Sequence, residues 1–239
     1  MTMNKIYLSP SNQDNNSYCV GGTTEKAQME AVAQRLKVIL DSEYSCETIM
    51  ADLSLGIGTS GRPLDAKNKG CGIYLAIHSN AGGGGTASGA VAFYHPSSAA
   101  GKSLASNLVA KLNAVCPVKS NRSSPVQNGM SLFDGQGLGE IRTPTQYGLT
   151  AVLIEVDFHD NPKTAQWIIS SKDAIARACA EAIAQTFGIS KKQTQPATPP
   201  APSGKLYHVQ VGAYAVKANA DAMLAKIKAA GFDGFIRYE

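Results

Sequence analysis

The sequence predicts an α/β protein: a three-layer fold with a mostly parallel central sheet flanked by helices, plus a small C-terminal strand–helix–strand unit. Three observations lead there. Residues 72–78 (GIYLAIH) and 150–156 (TAVLIEV) are near-continuous apolar runs, as expected of strands buried on both faces. Helical stretches with an apolar stripe alternate with those runs, which favours parallel pairing. A Pro-rich stretch near residue 200 then divides the chain unequally.

Taken in order, residues 5–9 form a first strand. The glycines at 20–22 lead to Thr23 and Thr24, whose hydroxyls suit a helix N-cap, and the helix continues to about residue 41. Residues 45–50 and 72–78 are the second and third strands, and 89–94 (GAVAFY) the fourth. A helix over 98–114 stops before Pro117. Residues 118–150, rich in Ser, Gly, Asn and Pro, are a long loop with short structured pieces, a length that favours a functional or mobile segment. Strand 150–157 and helix 162–187 complete a domain of residues 1–189. Residues 190–204 form an extended linker around Pro196, Pro199, Pro200 and Pro202. Residues 205–239 hold a strand (207–214), a helix (218–231) and a second strand (232–238).

Composition narrows the function. The net charge of +4 is spread along the chain, which argues against a nucleic-acid partner. No apolar stretch approaches the ~20 residues that span a bilayer, so no membrane role is expected. The first ten residues enter a strand directly and carry no secretory leader pattern, which predicts cytoplasmic synthesis without a signal peptide. Five scattered cysteines without C-x-x-C spacing fit free thiols.

Three residues carry the chemistry. Glu25 opens the first helix, His78 ends an apolar strand before the small, polar run SNAGGGG, and Glu155 lies inside TAVLIEV. Strand ends of a parallel sheet are where ligands collect. A carboxylate and an imidazole there can hold Zn2+, and a further carboxylate can take a proton from water. Glu25 also has a bland role, since an acidic first-turn residue is favoured by the helix dipole. Glu155 has a weaker one, because an unpaired carboxylate in an apolar strand is costly.

The segments IYLSP (6–10), TTEK (23–26), RPLDAKNKGCGIYLAIHSNA (62–81) and AVLIEVDFHDNP (151–162) resemble the zinc-dependent N-acetylmuramoyl-L-alanine amidases over about residues 4–188. The resemblance implies Glu25 and His78 as zinc ligands and Glu155 as the catalytic carboxylate. It implies a substrate-facing role for Glu140 and Arg142, with Asn80 also at the substrate, and structural roles for Arg62 and Asn68. The family's first strand ends in a histidine ligand, and this chain has Asn12 at that position. Three substitutes stand open, namely Asn12 or Gln13 through an amide oxygen, Asp157, or His159, and a site with no third protein ligand is the remaining alternative. Four residues of extended strand span about 13 Å, so His159 can share a site with Glu155 only if the chain turns at Asp157 and Phe158. His159 is the chemically preferred third ligand. His95 and His208 lack partners in sequence and read as surface residues.

VQVGAY (209–214) and AAGF (229–232) resemble the SPOR fold of peptidoglycan-binding domains, over half the usual length. The implied function is a zinc-dependent peptidoglycan hydrolase that cleaves the amide between N-acetylmuramic acid and L-alanine. Its partners would be the glycan strand and stem peptide, and it would act as a phage endolysin or autolysin after holin-type release or lysis. Two alternatives remain: an impaired wall-binding or regulatory protein, and a zinc peptidase acting on stem peptides. The short tail also suggests a weak homodimer, because a chain of its length rarely holds a fold alone.

Overall fold

The computed structural model describes residues 2–192 and 210–238. The chain divides into two compact units, Met1–Gln193 and Thr194–Glu239.

Six strands of the first unit form one sheet: β1 (Thr2–Pro10), β2 (Glu47–Met50), β3 (Cys71–Asn80), β4 (Val91–Tyr94), β5 (Val126–Asn128) and β6 (Thr150–Phe158), in the order β2-β1-β3-β6-β4-β5. β2, β1, β3 and β6 run parallel, whereas β4 runs antiparallel to β6 and carries β5 parallel to itself. The inner strands are apolar throughout because both of their faces are covered. Ile73 through Ile77 are fully buried. Ile6, Leu8, Ile73, Leu75, Ile77, Val152 and Ile154 point to one face, which α1 (Glu25–Glu43), α3 (Ala99–Val115) and α6 (Lys172–Phe187) cover. Tyr7, Tyr74, Ala76, Ala151 and Leu153 point to the other, where α2 (Arg62–Asn68) and α4 (Gly139–Gln146) pack. Burying one such aliphatic side chain contributes roughly 1.5–3 kcal/mol, and a one-residue slip would exchange the two faces. The register is therefore fixed by the core, and it aligns His78 with Glu155.

Three expectations change on the structure. The helix expected over 162–187 is two helices, α5 (Pro162–Ser170) and α6, because Ser171 leaves helical geometry at φ −123° and ψ 33°. Adjacent Ser170 and Ser171 offer the backbone competing side-chain bonds, a common origin of helix breaks. Second, residues 210–214 and 232–238, expected within two tail strands, are in no strand; the long loop over 118–150 carries the short structured pieces expected of it, β5 and α4. Third, Ser190–Lys192 belong to the first unit rather than to a linker: Ser45 N donates to the Ser190 carbonyl, Lys191 bridges Tyr44, and Lys192 N donates to the Glu43 carbonyl. The remainder of the expected linker lies outside the described residues.

The second unit shows one helix, α7 (Lys217–Ala229). Residues 210–216 and 231–238 are in no strand, and residues 205–209 lie outside the described residues. Extended segments need a neighbouring strand for their N–H and C=O groups, and none pairs with these among the described residues. Val211, Phe232, Phe235 and Tyr238 are correspondingly exposed. All five cysteines are free, and Cys71 and Cys179 are buried. No helix among the described residues is long and apolar enough to cross a membrane.

Candidate active site

The site forms at the carboxyl ends of β1, β3 and β6. Along β3, alternation puts Tyr74, Ala76 and His78 on the α2/α4 face, and on β6 it puts Glu155 beside His78. α1 begins at the same end. Thr24 caps it by accepting from Ala27 N, and Glu25 N donates to the Asn16 carbonyl, so Glu25 is delivered to the strand ends by the loop that precedes it.

His78 is the hub. Its Nδ1 lies 2.9 Å from Glu25 Oε1, and its Nε2 lies 2.9 Å from Glu140 Oε2. Only 12% of its side chain is exposed, against 1% for Glu25. Burial alone would lower the His78 pKa, but the bonds to Glu140 and Glu25 raise it well above the ordinary range. Burial opposes ionisation of both carboxylates too, yet His78 holds each below its usual value.

Glu155 differs. Its Oε2 is enclosed and has no hydrogen-bond partner. Burial raises its pKa to about 7, with Glu25 and Glu140 adding to the effect and His78 opposing it. A carboxyl that exchanges its proton near neutrality, beside a partly open imidazole, is suited to general acid–base work.

The other sequence-derived candidates fall in three places. His159 is buried and stacked on Tyr18 at 4.8 Å. Its Nδ1 lies 3.0 Å from Ser79 Oγ, and its Nε2 lies 3.1 Å from Asn16 Oδ1. Asn16 Nδ2 in turn donates to Glu25 Oε2 at 2.6 Å. The chain does turn after Phe158, and it brings His159 to within one amide of Glu25. Asp157 lies apart: its Oδ1 accepts from Gly89 N and Phe158 N, and its Oδ2 faces Cys116 Sγ. Asn12 and Gln13 are exposed, and neither side chain is brought to His78 by a hydrogen bond.

Glu140, expected to face substrate, turns inward with both oxygens engaged and is 4% exposed. Arg142 points from the same helix to the Gln136 carbonyl and pins the preceding loop. Asn80 accepts from Ala81 N through its side chain and from His159 N through its carbonyl. Arg62 is structural: it donates to the carbonyls of Leu53, Leu55 and Pro10. Asn68 is exposed. Among the described residues, no three His, Cys, Asp or Glu side chains form a ready metal cage.

Sequence reasoning missed Asn16, Tyr18, Ser79, Ser9 and Tyr74 as neighbours of the site. Tyr74 was within reach of it, since it lies four residues before His78 on the same strand face. Asn16 was not, because its place depends on the path of an irregular loop.

Comparison with known proteins identifies the family and the fold. Residues 7–185 match the N-acetylmuramoyl-L-alanine amidase family, and residues 203–238 match the SPOR domain. The sporulation-specific N-acetylmuramoyl-L-alanine amidase of Bacillus subtilis (strain 168) is 26% identical over 240 residues, 98% of this chain and 84% of the relative. The N-acetylmuramoyl-L-alanine amidase CwlM of Bacillus licheniformis is 26% identical over 245 residues, 99% of this chain and 85% of the relative. Among solved structures, an N-acetylmuramoyl-L-alanine amidase from Clostridium difficile 630 superposes with a TM-score of 0.62 at 21% identity, covering 77% of this chain and 96% of its own. AmiC2 of Nostoc punctiforme gives a TM-score of 0.61 at 15% identity, over 78% of this chain and 98% of its own. These structural likenesses share the α/β sheet described above.

Proposed function

Because the chain belongs to the N-acetylmuramoyl-L-alanine amidase family, we propose that Glu25, His78 and Glu155 form the site at which it hydrolyses peptidoglycan, with zinc as the metal. The observation that carries this reading is the enclosed, unpartnered Oε2 of Glu155 beside His78.

The residues fit a zinc ion as a ligand pair. Three carboxylates, Glu25, Glu140 and Glu155, surround a single imidazole in a largely buried space, so a dication would relieve their mutual repulsion. Glu25 Oε1 and His78 Nδ1 already converge, and Glu140 holds the other ring nitrogen, as carboxylates do for metal-bound histidines. Glu25 and His78 would hold the ion, and His159 would support Glu25 through Asn16. The chemistry supplied by zinc there is polarisation of the scissile carbonyl and acidification of water.

The chain's own part is proton handling. Ionised Glu155 takes a proton from the attacking water, whose hydroxyl joins the lactyl carbonyl carbon. The carbon–nitrogen bond then breaks, and Glu155 returns the proton to the departing alanine nitrogen. Whether the protein serves as a phage endolysin or an autolysin, the bond cut is the same. The tail, by its SPOR likeness, would hold wall glycan, and two copies would pair to cover Phe232, Phe235 and Tyr238.

Digestion of purified wall tests the reaction. Release of intact stem peptides with free N-terminal alanine is expected, whereas cuts within the peptides would make the protein a peptidase. Glu155→Gln should keep zinc and lose about two or more orders of magnitude in rate. His78→Ala should lose both zinc and lysis; full zinc stoichiometry in that variant would sink the ligand assignment. Asn12, standing where the family has a histidine ligand, favours one rival, a wall-binding protein with a decayed site. A metal-free protein that sediments with sacculi without digesting them would establish that rival.

A further inference from the structure

We infer that Glu140 is the positioning residue that fixes the imidazole of His78, and that it is not a contact for substrate. The inference rests on the zinc reading above.

Glu25 and Glu140 sit at opposite nitrogens of one ring. Each places a carboxylate oxygen 2.9 Å from its nitrogen. The two nitrogens of an imidazole point away from each other, so an ion between His78 Nδ1 and Glu25 is out of reach of the Glu140 oxygen at Nε2. Glu140 therefore cannot be a third ligand on that side. What it can do is hold the Nε2 proton, so that the proton an ion would displace is the one on Nδ1, facing Glu25. The tautomer of a ring nitrogen is set by the hydrogen bond the other one makes.

Glu140 is in turn held from behind. Its Oε1 accepts from Ser9 Oγ at 2.9 Å and lies 3.1 Å from the Tyr74 hydroxyl. Ser9 Oγ receives bonds from Tyr74 at 2.9 Å and from Arg62 Nη1 at 3.2 Å. Every donor in this chain points toward the carboxylate, and every member is buried: Ser9 and Tyr74 are 0% exposed, Arg62 1% and Glu140 4%. β1, α2, β3 and α4 each contribute one member. With both oxygens engaged inside the protein and only 4% of the residue exposed, Glu140 is turned away from substrate, and with four elements fixing it, its own orientation is set by the fold. A buried carboxylate is costly to place, and a network that satisfies both of its oxygens is what makes it tolerable.

The test uses the full-length chain and zinc alone, by chelator competition, together with kinetics on a soluble muramyl peptide. Glu140→Ala should weaken zinc affinity by about 10–100-fold, the usual effect of losing a carboxylate behind a metal-bound histidine. It should lower kcat while leaving KM nearly unchanged. Glu140→Gln, whose amide oxygen can still accept the Nε2 proton, should recover most of the affinity. Unchanged zinc affinity in Glu140→Ala, or a raised KM at constant kcat, overturns the inference; the latter would return Glu140 to the substrate. If Glu140→Ala does not fold, the Ser9→Ala/Tyr74→Phe pair serves: it loosens the carboxylate and should lower zinc affinity several-fold, and no change overturns the inference equally. Failure of the zinc reading itself looks different, because the unaltered protein would then bind no zinc.

Discussion

Arg62 donates from its Nη1 to the Pro10 carbonyl at 3.0 Å, joining the first residue of α2 to the last residue of β1. The same guanidinium reaches the carbonyls of Leu55 at 2.9 Å and Leu53 at 3.4 Å. One buried cation thus closes the loop that crosses from β2 to α2, and it does so with a planar fork that lysine cannot imitate.

Arg62→Met should therefore destabilise the protein by about 3 kcal/mol, since it strands several buried carbonyls, and Arg62→Lys should recover less than half of that. Urea unfolding measures both. A loss below about 1 kcal/mol for Arg62→Met would show that the carbonyls find other donors.

The raised pKa of Glu155 makes metal-free stability depend on pH. The folded value is about 7, against 4.5 for the ordinary carboxyl. Below the lower value both folded and unfolded states are protonated, and there is no penalty. As pH rises toward 7 the unfolded chain loses this proton while the fold retains it, so stability falls and then levels off. Relative to the unaltered protein, Glu155→Gln should gain on the order of 1–3 kcal/mol between pH 5 and 8 in chelator. A pH-independent difference would mean that Glu155 has water access in solution.

The link from His159 through Asn16 to Glu25 predicts a ranking of zinc affinities. Asn16→Ala and His159→Ala should each weaken zinc by roughly tenfold, and the double variant little further, because both act through one bond. Exposed Asn12 should tolerate alanine with less than about a twofold change. His159→Ala losing far more than Asn16→Ala would make the imidazole a direct ligand. A dominant effect at Asn12 would move the third ligand to the loop after β1.

Deletion of residues 196–239 should leave turnover of a small soluble substrate intact and reduce sedimentation with purified sacculi. Sedimentation-velocity runs at rising concentration should show the full chain, and not the truncated one, moving toward a dimer. Unchanged sacculus binding would remove the tail from wall recognition.

The buried sheet was legible because inner parallel strands must be apolar at every position, and β3 and β6 are. His78 and Glu155 stood out for the same reason, as polar groups interrupting runs that otherwise exclude them. Glu25 was legible from its place at a capped helix start. Glu140 was named through the resemblance as substrate-facing, but its place against His78 was not legible, because α4 carries one buried aliphatic side chain, Ile141, and an interior Pro144, too little pattern to announce a helix. Its contact with His78 spans 62 positions, and only the long crossover from β5 to β6 creates it. The tail's strands were inferred from short local segments and their SPOR resemblance, which say what a strand would present and nothing of what it would pair with.

The bond from Lys192 N to the Glu43 carbonyl also has a mechanical meaning. It fastens the outgoing chain beside the end of α1, and α1 spans 19 residues from Glu25 to Glu43, about 28 Å of helix. Tension drawn through the tail enters the first unit there, a helix length from the carboxylate that meets His78. Force drawn through the tail would load the short bridge at Tyr44 and Lys191 and this one bond, at the opposite end of α1 from Glu25.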